Sequence, residues 1–428
     1  MMYKYNKRMQ KPILVYYKNE EEYRCLTEDS DVIQICKSLP KNASKMDIFN
    51  SFEIQKPYEC NDEGLMKYKQ AFFKSVKELK SVKLRRKGES IDYTKYYKHF
   101  DAIQRVFFDN LIGTSTITDR KISDFENVEY KEAVWIKRCN NGGLVYFDKS
   151  YKDVEIDAYG YDFKSFYPSI LSKSIKIPLK CGIESTIRKL PIDKYGNVEM
   201  GYYHVYIEYK DPEFLKVFTL SKNHCYTNYS LDIALKFKKN FGVKVKIFKH
   251  ENNCYLYNPD ECKSSKQYFS YWFETLSKAK KDFPDNVLIK PLFSALWGHL
   301  SVYNLVNVYE VDADKINFGD IEDDEADYYN LTNEEPDDKN RILKCSPKHQ
   351  IFKFGIARMM PFLSSYGRVK IANVIYPHIE KVVRIYTDGV VFNAPIDIPL
   401  NLKEVFVLES KTTGRITFKN SQSYIKST

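Results

Sequence analysis

Nine cysteines are scattered through 428 residues without a CxxC pair or an even framework spacing. That excludes a disulfide-stapled secreted scaffold and leaves reduced thiols as the expectation. The nearest approach to a metal cluster, His224, Cys225, His250, Cys254 and Cys262, matches no standard zinc spacing. No apolar run approaches the ~18 residues of a spanning helix. The opening MMYKYNKRMQKP also lacks the apolar core of a secretory signal. The expectation is a soluble, intracellular protein with no membrane partner. Positive charge is missing from one stretch: Asp320 to Asp338 holds ten acidic residues and neither Lys nor Arg, which reads as a solvated loop inserted over 319–340 that would repel a polyanion.

What is present points the other way. Sixty-seven Lys and Arg against 57 Asp and Glu give a formal charge of +10, which favours a polyanionic partner. The 35 Tyr and 27 Phe offer flat faces on which bases or sugars could stack. The length accommodates two or three domains at ~100–200 residues each.

Three stretches carry chemistry. In YGYDFKSFYPSIL (159–171), a half-apolar alternating run through Val154, Ile156 and Ala158 reaches Asp162, and Pro168 then opens a helix-compatible segment. Strand, tight turn and helix place a carboxylate where it can hold a divalent cation, beside backbone N–H groups that suit an anion. A strand-terminal Asp is also an ordinary turn residue. The second stretch, KPLFSALWG (290–298), follows the amphipathic pattern YFSYWFETLSKAKKDF and the break at Pro284–Asp285. A helical hairpin results, with Lys290, Ser294 and Trp297 on one face at i, i+4 and i+7. The third, KVVRIYTDGVVF, is a β-branched run turning at Asp388–Gly389.

In this order, DFKSFYPSI, KPLFSALWG and RIYTDG resemble the DxxSLYPSI, KxxxNSxYG and DTDS motifs of family B DNA polymerases, within them the protein-primed branch of phages, viruses and linear plasmids. The resemblance spans roughly 130–425. It implies an α+β fold: an antiparallel palm sheet bearing Asp162 and Asp388 on adjacent strands, with a helical fingers hairpin. It implies that Asp162, Asp388 and the backbone of Phe163 bind two Mg2+ or Mn2+ ions, and that backbone around Phe163, Ser165 and Phe166 holds the triphosphate. Tyr167 would lie beneath the incoming sugar and exclude a 2′-hydroxyl. Lys290 would contact the triphosphate and protonate pyrophosphate, aided by Lys278 or Lys281, with Ser294 and Trp297 completing the nucleotide site. Ser294, Ala295 and Trp297 replace the family's Asn, Ser and Tyr. Aligning TDG with TDS puts Asp388 at the essential metal-binding aspartate, Tyr386 at the less critical one, and Thr387 beside the DNA.

The same resemblance assigns DNA contacts to Gly142 and Gly143, a YxGG-like pair that reads from the residues as a hairpin turn in WIKRCNNGGLVYF. It assigns Arg358, at the end of a Tx2AR-like motif, to primer phosphate. Partners implied are primer–template DNA, dNTPs and a terminal protein or other replication subunit. Residues 1–125 would be a reduced exonuclease-like domain: Tyr97 and Asp101 match one carboxylate motif, Asn42 and Asp47 echo another, and only Asp29 and Asp31 stand near the third. The basic run KSVKELKSVKLRRK (74–87) reads as a solvated helix face or a DNA-backbone contact. Palm with an inserted region would occupy 126–267, including a helix at 230–240 and a strand at 243–248. Fingers would occupy 268–300, and the remaining palm 301–428. The lysine of the family's KxY motif is missing near Gln422 and Tyr424, so the thumb is expected to be absent or minimal. Rival readings are a catalytically dead palm that binds DNA or assembles a replication complex, and an unrelated metal-dependent hydrolase.

Overall fold

The computed structural model of the chain describes residues 13–17, 23–27, 30–36, 70–71, 74–75, 77–79, 81–82, 124–173, 175–309, 318–319, 326–329, 342–396, 408–420 and 424–426. Tyr97, Asp101, Asn42, Asp47, Asp29, Gln422 and most of the acidic stretch lie outside these residues. The chain divides into two compact units, one of residues 1–120 with 268–297 and one of 121–267 with 298–428.

In the first unit, β1 (Ile13–Tyr17), β2 (Tyr23–Thr27) and β3 (Ser30–Cys36) form an antiparallel meander. The amphipathic pattern of 268–283 becomes helix α6 (Lys266–Asp282), and α7 (Ile289–Leu300) follows the proline break. The hairpin closes over its apolar stripe, with Trp272 edge-on to Phe293 at 5.3 Å. Helical residues within 70–81 cap its loop: Asn286 Nδ2 donates to Ser75 O at 3.0 Å and to Glu78 Oε2 at 2.8 Å, and Ser75 Oγ accepts from Val287 N at 3.0 Å. Among the described residues of the basic run, Lys74 and Lys77 are exposed while Ser75 and Leu79 are buried.

The second unit is built on a six-stranded sheet of order β20-β19-β5-β18-β17-β4, antiparallel throughout. Its strands are β4 (Val145–Phe147), β5 (Glu155–Phe163), β17 (Val382–Tyr386), β18 (Gly389–Phe392), β19 (Leu408–Phe418) and β20 (Tyr424–Lys426). Period-2 alternation gives β5 two unlike faces. Ala158 packs with Val383, Val391, Ile416 and Phe418, and Ile156 joins them. The alternate residues turn to a helical layer: Phe163 lies 4.9 Å from Phe166, and Tyr161 meets Phe392 edge-on at 5.7 Å. At the centre of that layer is α8 (Met360–Ile375), with eleven of its sixteen residues buried, as an interior helix requires. It packs on α2 (Phe166–Lys173) and on α4 (Asn228–Lys236).

The sequence between β5 and α6 also forms a five-stranded sheet, β10-β8-β11-β7 with β9 beside β8. These strands are β7 (Ile183–Ser185), β8 (Gly201–Glu208), β9 (Cys225–Thr227), β10 (Lys244–Ile247) and β11 (Cys254–Leu256). The helix expected at 230–240 starts earlier, capped by Thr227, whose side chain accepts from Ser230 N, and it breaks at Phe237.

Two expectations change. Trp135 is not on a strand but in helix α1 (Tyr130–Cys139), whose apolar side is buried, so Gly142 and Gly143 link a helix to β4 and are not a hairpin turn. The acidic stretch is not wholly a loop either. Tyr328 and Tyr329 form a short strand paired with Pro347 and Ser346, and Tyr329 is fully buried, stacked on Tyr130 at 5.0 Å.

Candidate active site

Strand β5, a tight turn and α2 follow one another as the spacing predicts, with Ser165 at φ 48° in the turn. Strands β17 and β18 form a two-residue hairpin whose tip is Thr387–Asp388. Gly389 stands opposite Asp162 in the register, and Phe163 N donates to Asp388 O at 3.0 Å. The two aspartates predicted to act together thus lie close, Asp162 on β5 and Asp388 in the turn that leads into the adjoining strand β18. The Asp162 carboxylate lies beside Gly389, where an added methyl would stand 3.7 Å from Oδ1, an ordinary contact. Gly389 and Gly160 help open a groove of about 260 Å3, and Asp162, Asp388, Arg384 and Tyr386 line it.

The hairpin tip is strained in a specific way. Thr387 has φ 56°, a left-handed conformation that costs a β-branched residue on the order of 1–3 kcal/mol. Two interactions oppose its relaxation: its N–H donates to Leu144 O at 2.9 Å, and its Oγ1 donates to Asp388 Oδ1 at 2.7 Å. Asp388 is thereby oriented by its own neighbour.

Tyr167 lies behind the turn, its ring against Gly367 of α8, where a methyl would come within 2.9 Å of Cε1. Burial pushes its hydroxyl up to about 12; Arg368 opposes the shift and Asp388 adds to it. The phenol therefore stays neutral and within electrostatic reach of both groups.

Other predicted residues fall elsewhere. Lys290 and Ser294 share an exposed face of α7, where Ser294 Oγ donates to Lys290 O at 3.1 Å; Lys278 and Lys281 are exposed on α6. Trp297 is on the α7 backbone. All five belong to the first unit, the aspartates to the second. The Phe163 N–H, expected to face a triphosphate, donates instead to Asp388 O at 3.0 Å.

Arg358 departs most from its expected role. It is fully buried and grips Glu132 with two hydrogen bonds, Nε to Oε1 at 2.8 Å and Nη2 to Oε2 at 2.9 Å. Nη1 also donates to Leu179 O at 2.6 Å, and Tyr257 OH to Glu132 Oε1 at 2.6 Å. A guanidinium so enclosed does not reach a primer phosphate. Its sequence pattern was apt, but the buried Glu132 that claims it lies 226 residues away.

Two arginines to which the motifs assign no role also bear on the site. Arg384 lines the carboxylate groove, 5.4 Å from the Tyr386 ring. Arg368 is 6% exposed in α8, its pKa lowered to about 10 by burial. Its Nη1 donates to Gly142 O and its Nη2 to Ser230 Oγ at 3.1 Å. Only the even alternation of RIY could have placed Arg384 beside Asp388; for Arg368 there was no local signal.

Among the described residues no group of three or more His, Cys, Asp and Glu gathers to hold a metal. The two carboxylates of the groove, Asp162 and Asp388, supply hard oxygen donors of the kind a divalent cation takes when water and substrate phosphates complete its shell.

No protein-family model and no curated protein matches the chain. Solved structures do match it by fold. The fold is similar to that of a DNA polymerase, which agrees with the motif resemblance at the level of the fold. Among the matches is phi29 DNA polymerase: complexed with primer–template DNA and incoming nucleotide substrates, it gives a TM-score of 0.51 at 14% identity over 86% of this chain. Its complex with single-stranded DNA gives 0.53 at 13% over 87%, and its post-translocation binary complex 0.51 at 13% over 88%. The chain spans 59–60% of the length of those structures. No described helix is long and apolar enough to cross a membrane.

Proposed function

We propose that the chain is a template-directed DNA polymerase that joins dNTPs to a primer 3′-hydroxyl. The observation that carries this reading is the pairing of Gly389 with Asp162, which brings the aspartates of two distant motifs to one groove in a polymerase fold. The six-stranded sheet is the palm and the α6–α7 hairpin the fingers. Asp162, Asp388 and the Phe163 carbonyl hold two Mg2+ or Mn2+ ions, which when bound activate the hydroxyl and stabilise the departing pyrophosphate. Tyr167, a neutral ring wedged against Gly367, limits space at the sugar. Lys290, with Lys278 or Lys281, neutralises the triphosphate; an ammonium suits it as a mobile point charge that can also give up a proton. A terminal protein or another replication subunit is the partner the motif resemblance favours.

Primer extension at low salt with Mg2+ or Mn2+ tests the reading. Asp162→Asn and Asp388→Asn should each bring extension below detection without lowering Tm by more than ~2 °C, since neither is deeply buried. Retained synthesis by either variant refutes it.

A second reading is a non-catalytic DNA-binding protein of the same fold. Tyr386, 38% exposed where the family carries its other aspartate, favours it. Intact binding of primed DNA, with no extension in either metal, would select it.

A further inference from the structure

We propose that Arg368 is a positioning residue for Asp388, acting through the Gly142–Gly143 loop and Thr387. The inference rests on the reading of Asp388 as a metal-binding carboxylate and adds a support that no motif contains. A carboxylate at the tip of a two-residue turn has two free side-chain rotations, and a cation is held well only if those are fixed beforehand. Thr387 fixes them by donating Oγ1 to Asp388 Oδ1 at 2.7 Å. Thr387 can do so only while its backbone stays at φ 56°.

The loop preceding β4 enforces that conformation. Leu144 O accepts from Thr387 N at 2.9 Å. Gly143 lies flat against the same residue; a methyl there would stand 3.0 Å from Thr387 Cγ2 and 3.2 Å from its Cα. The loop in turn depends on the interior. Its Gly142 carbonyl accepts from Arg368 Nη1, and Arg368 Nη2 is anchored on Ser230 Oγ of α4 at 3.1 Å. A rigid buried helix is thus tied to the hairpin tip by guanidinium, carbonyl, glycine contact and hydroxyl in sequence. Gly367, the residue before Arg368, seats the Tyr167 ring, so one turn of α8 supports both the carboxylate and the sugar-side ring.

Manganese alone, titrated into the full-length protein and followed by the EPR signal of free Mn2+, separates the alternatives. Thr387→Val keeps the β-branched shape and removes the hydroxyl; Arg368→Lys keeps the charge but cannot span both acceptors. Each should weaken manganese binding ~10-fold or more, the usual effect of losing an outer support. The metal requirement for primer extension should rise by the same factor, with KM for dNTP unchanged at saturating metal. Thr387→Ser should restore wild-type affinity. Should Arg368→Lys fold poorly, shown by a reduced Tm, the Thr387 pair decides alone. Wild-type manganese affinity in Thr387→Val, with binding lost in Asp388→Asn, overturns the network and leaves the proposed function standing. Undiminished binding in Asp388→Asn itself overturns the metal role of Asp388 and the network with it.

Discussion

Arg358 and Arg368 show how burial decides what an arginine does. Both lie on one stretch of chain, both are enclosed, and neither is exposed enough to serve as a phosphate clamp. The Arg358–Glu132 pair has every strong acceptor near it engaged, so removing one partner strands a charge. Glu132→Ala should destabilise the fold by ~3–5 kcal/mol, measured by urea unfolding. Tyr167 is constrained by space in place of charge. Gly367→Ala sets a methyl 2.9 Å from Tyr167 Cε1, and the ring must shift. Overpacking of this kind costs ~1–3 kcal/mol. The ratio of dNTP to rNTP incorporation should fall, and an unchanged ratio would remove Tyr167 from sugar selection.

Strand β8 and the turn after β10 bring together His204, Phe248 and His250, a cluster with its own pH signature. His204 stacks on Phe248 at 4.1 Å between ring centroids, and its Nδ1 lies 2.6 Å from His250 Nε2. His250 Nδ1 is 2.6 Å from the Glu251 carbonyl, which can only accept, so His250 carries its proton there and its Nε2 accepts from His204. Burial, then His250, Arg138 and His224, lower His204 from 6.5 to about 4. Below 6.5 the unfolded chain binds the proton more readily than the folded one. Stability from this group is therefore complete above pH ~6.5 and lost as pH falls toward ~4. His204→Gln should flatten Tm against pH over that window, and the His204 ring proton shifts should titrate near pH 4.

The formal charge of +10 belongs to the entire chain, and under the proposed function it would make association with DNA sensitive to salt. With roughly 6–10 phosphate contacts, affinity for primed DNA should drop about 10³–10⁵-fold between ~50 and ~200 mM salt, a slope that fluorescence anisotropy can read. A salt-insensitive affinity would argue against an electrostatic interface. Much of the architecture could be read in advance wherever the signal was local. Period-2 and 3.6-residue patterns placed β5, the β17–β18 hairpin and the α6–α7 hairpin, because short-range packing and turn chemistry set them. The motifs likewise singled out Asp162, Tyr167 and Asp388 with their neighbours. Trp135 went astray because a ten-residue helix and a strand share the same apolar run at that length, and only burial against the interior chose the helix. Glu132 with Arg358, and Gly142 with Arg368, each 226 residues apart, carry no such local trace. Their partnerships, the strained Thr387 and the groove beside Arg384 exist only once the sheet and α8 have packed, because enclosure, not residue type, determines which polar atoms must find one another.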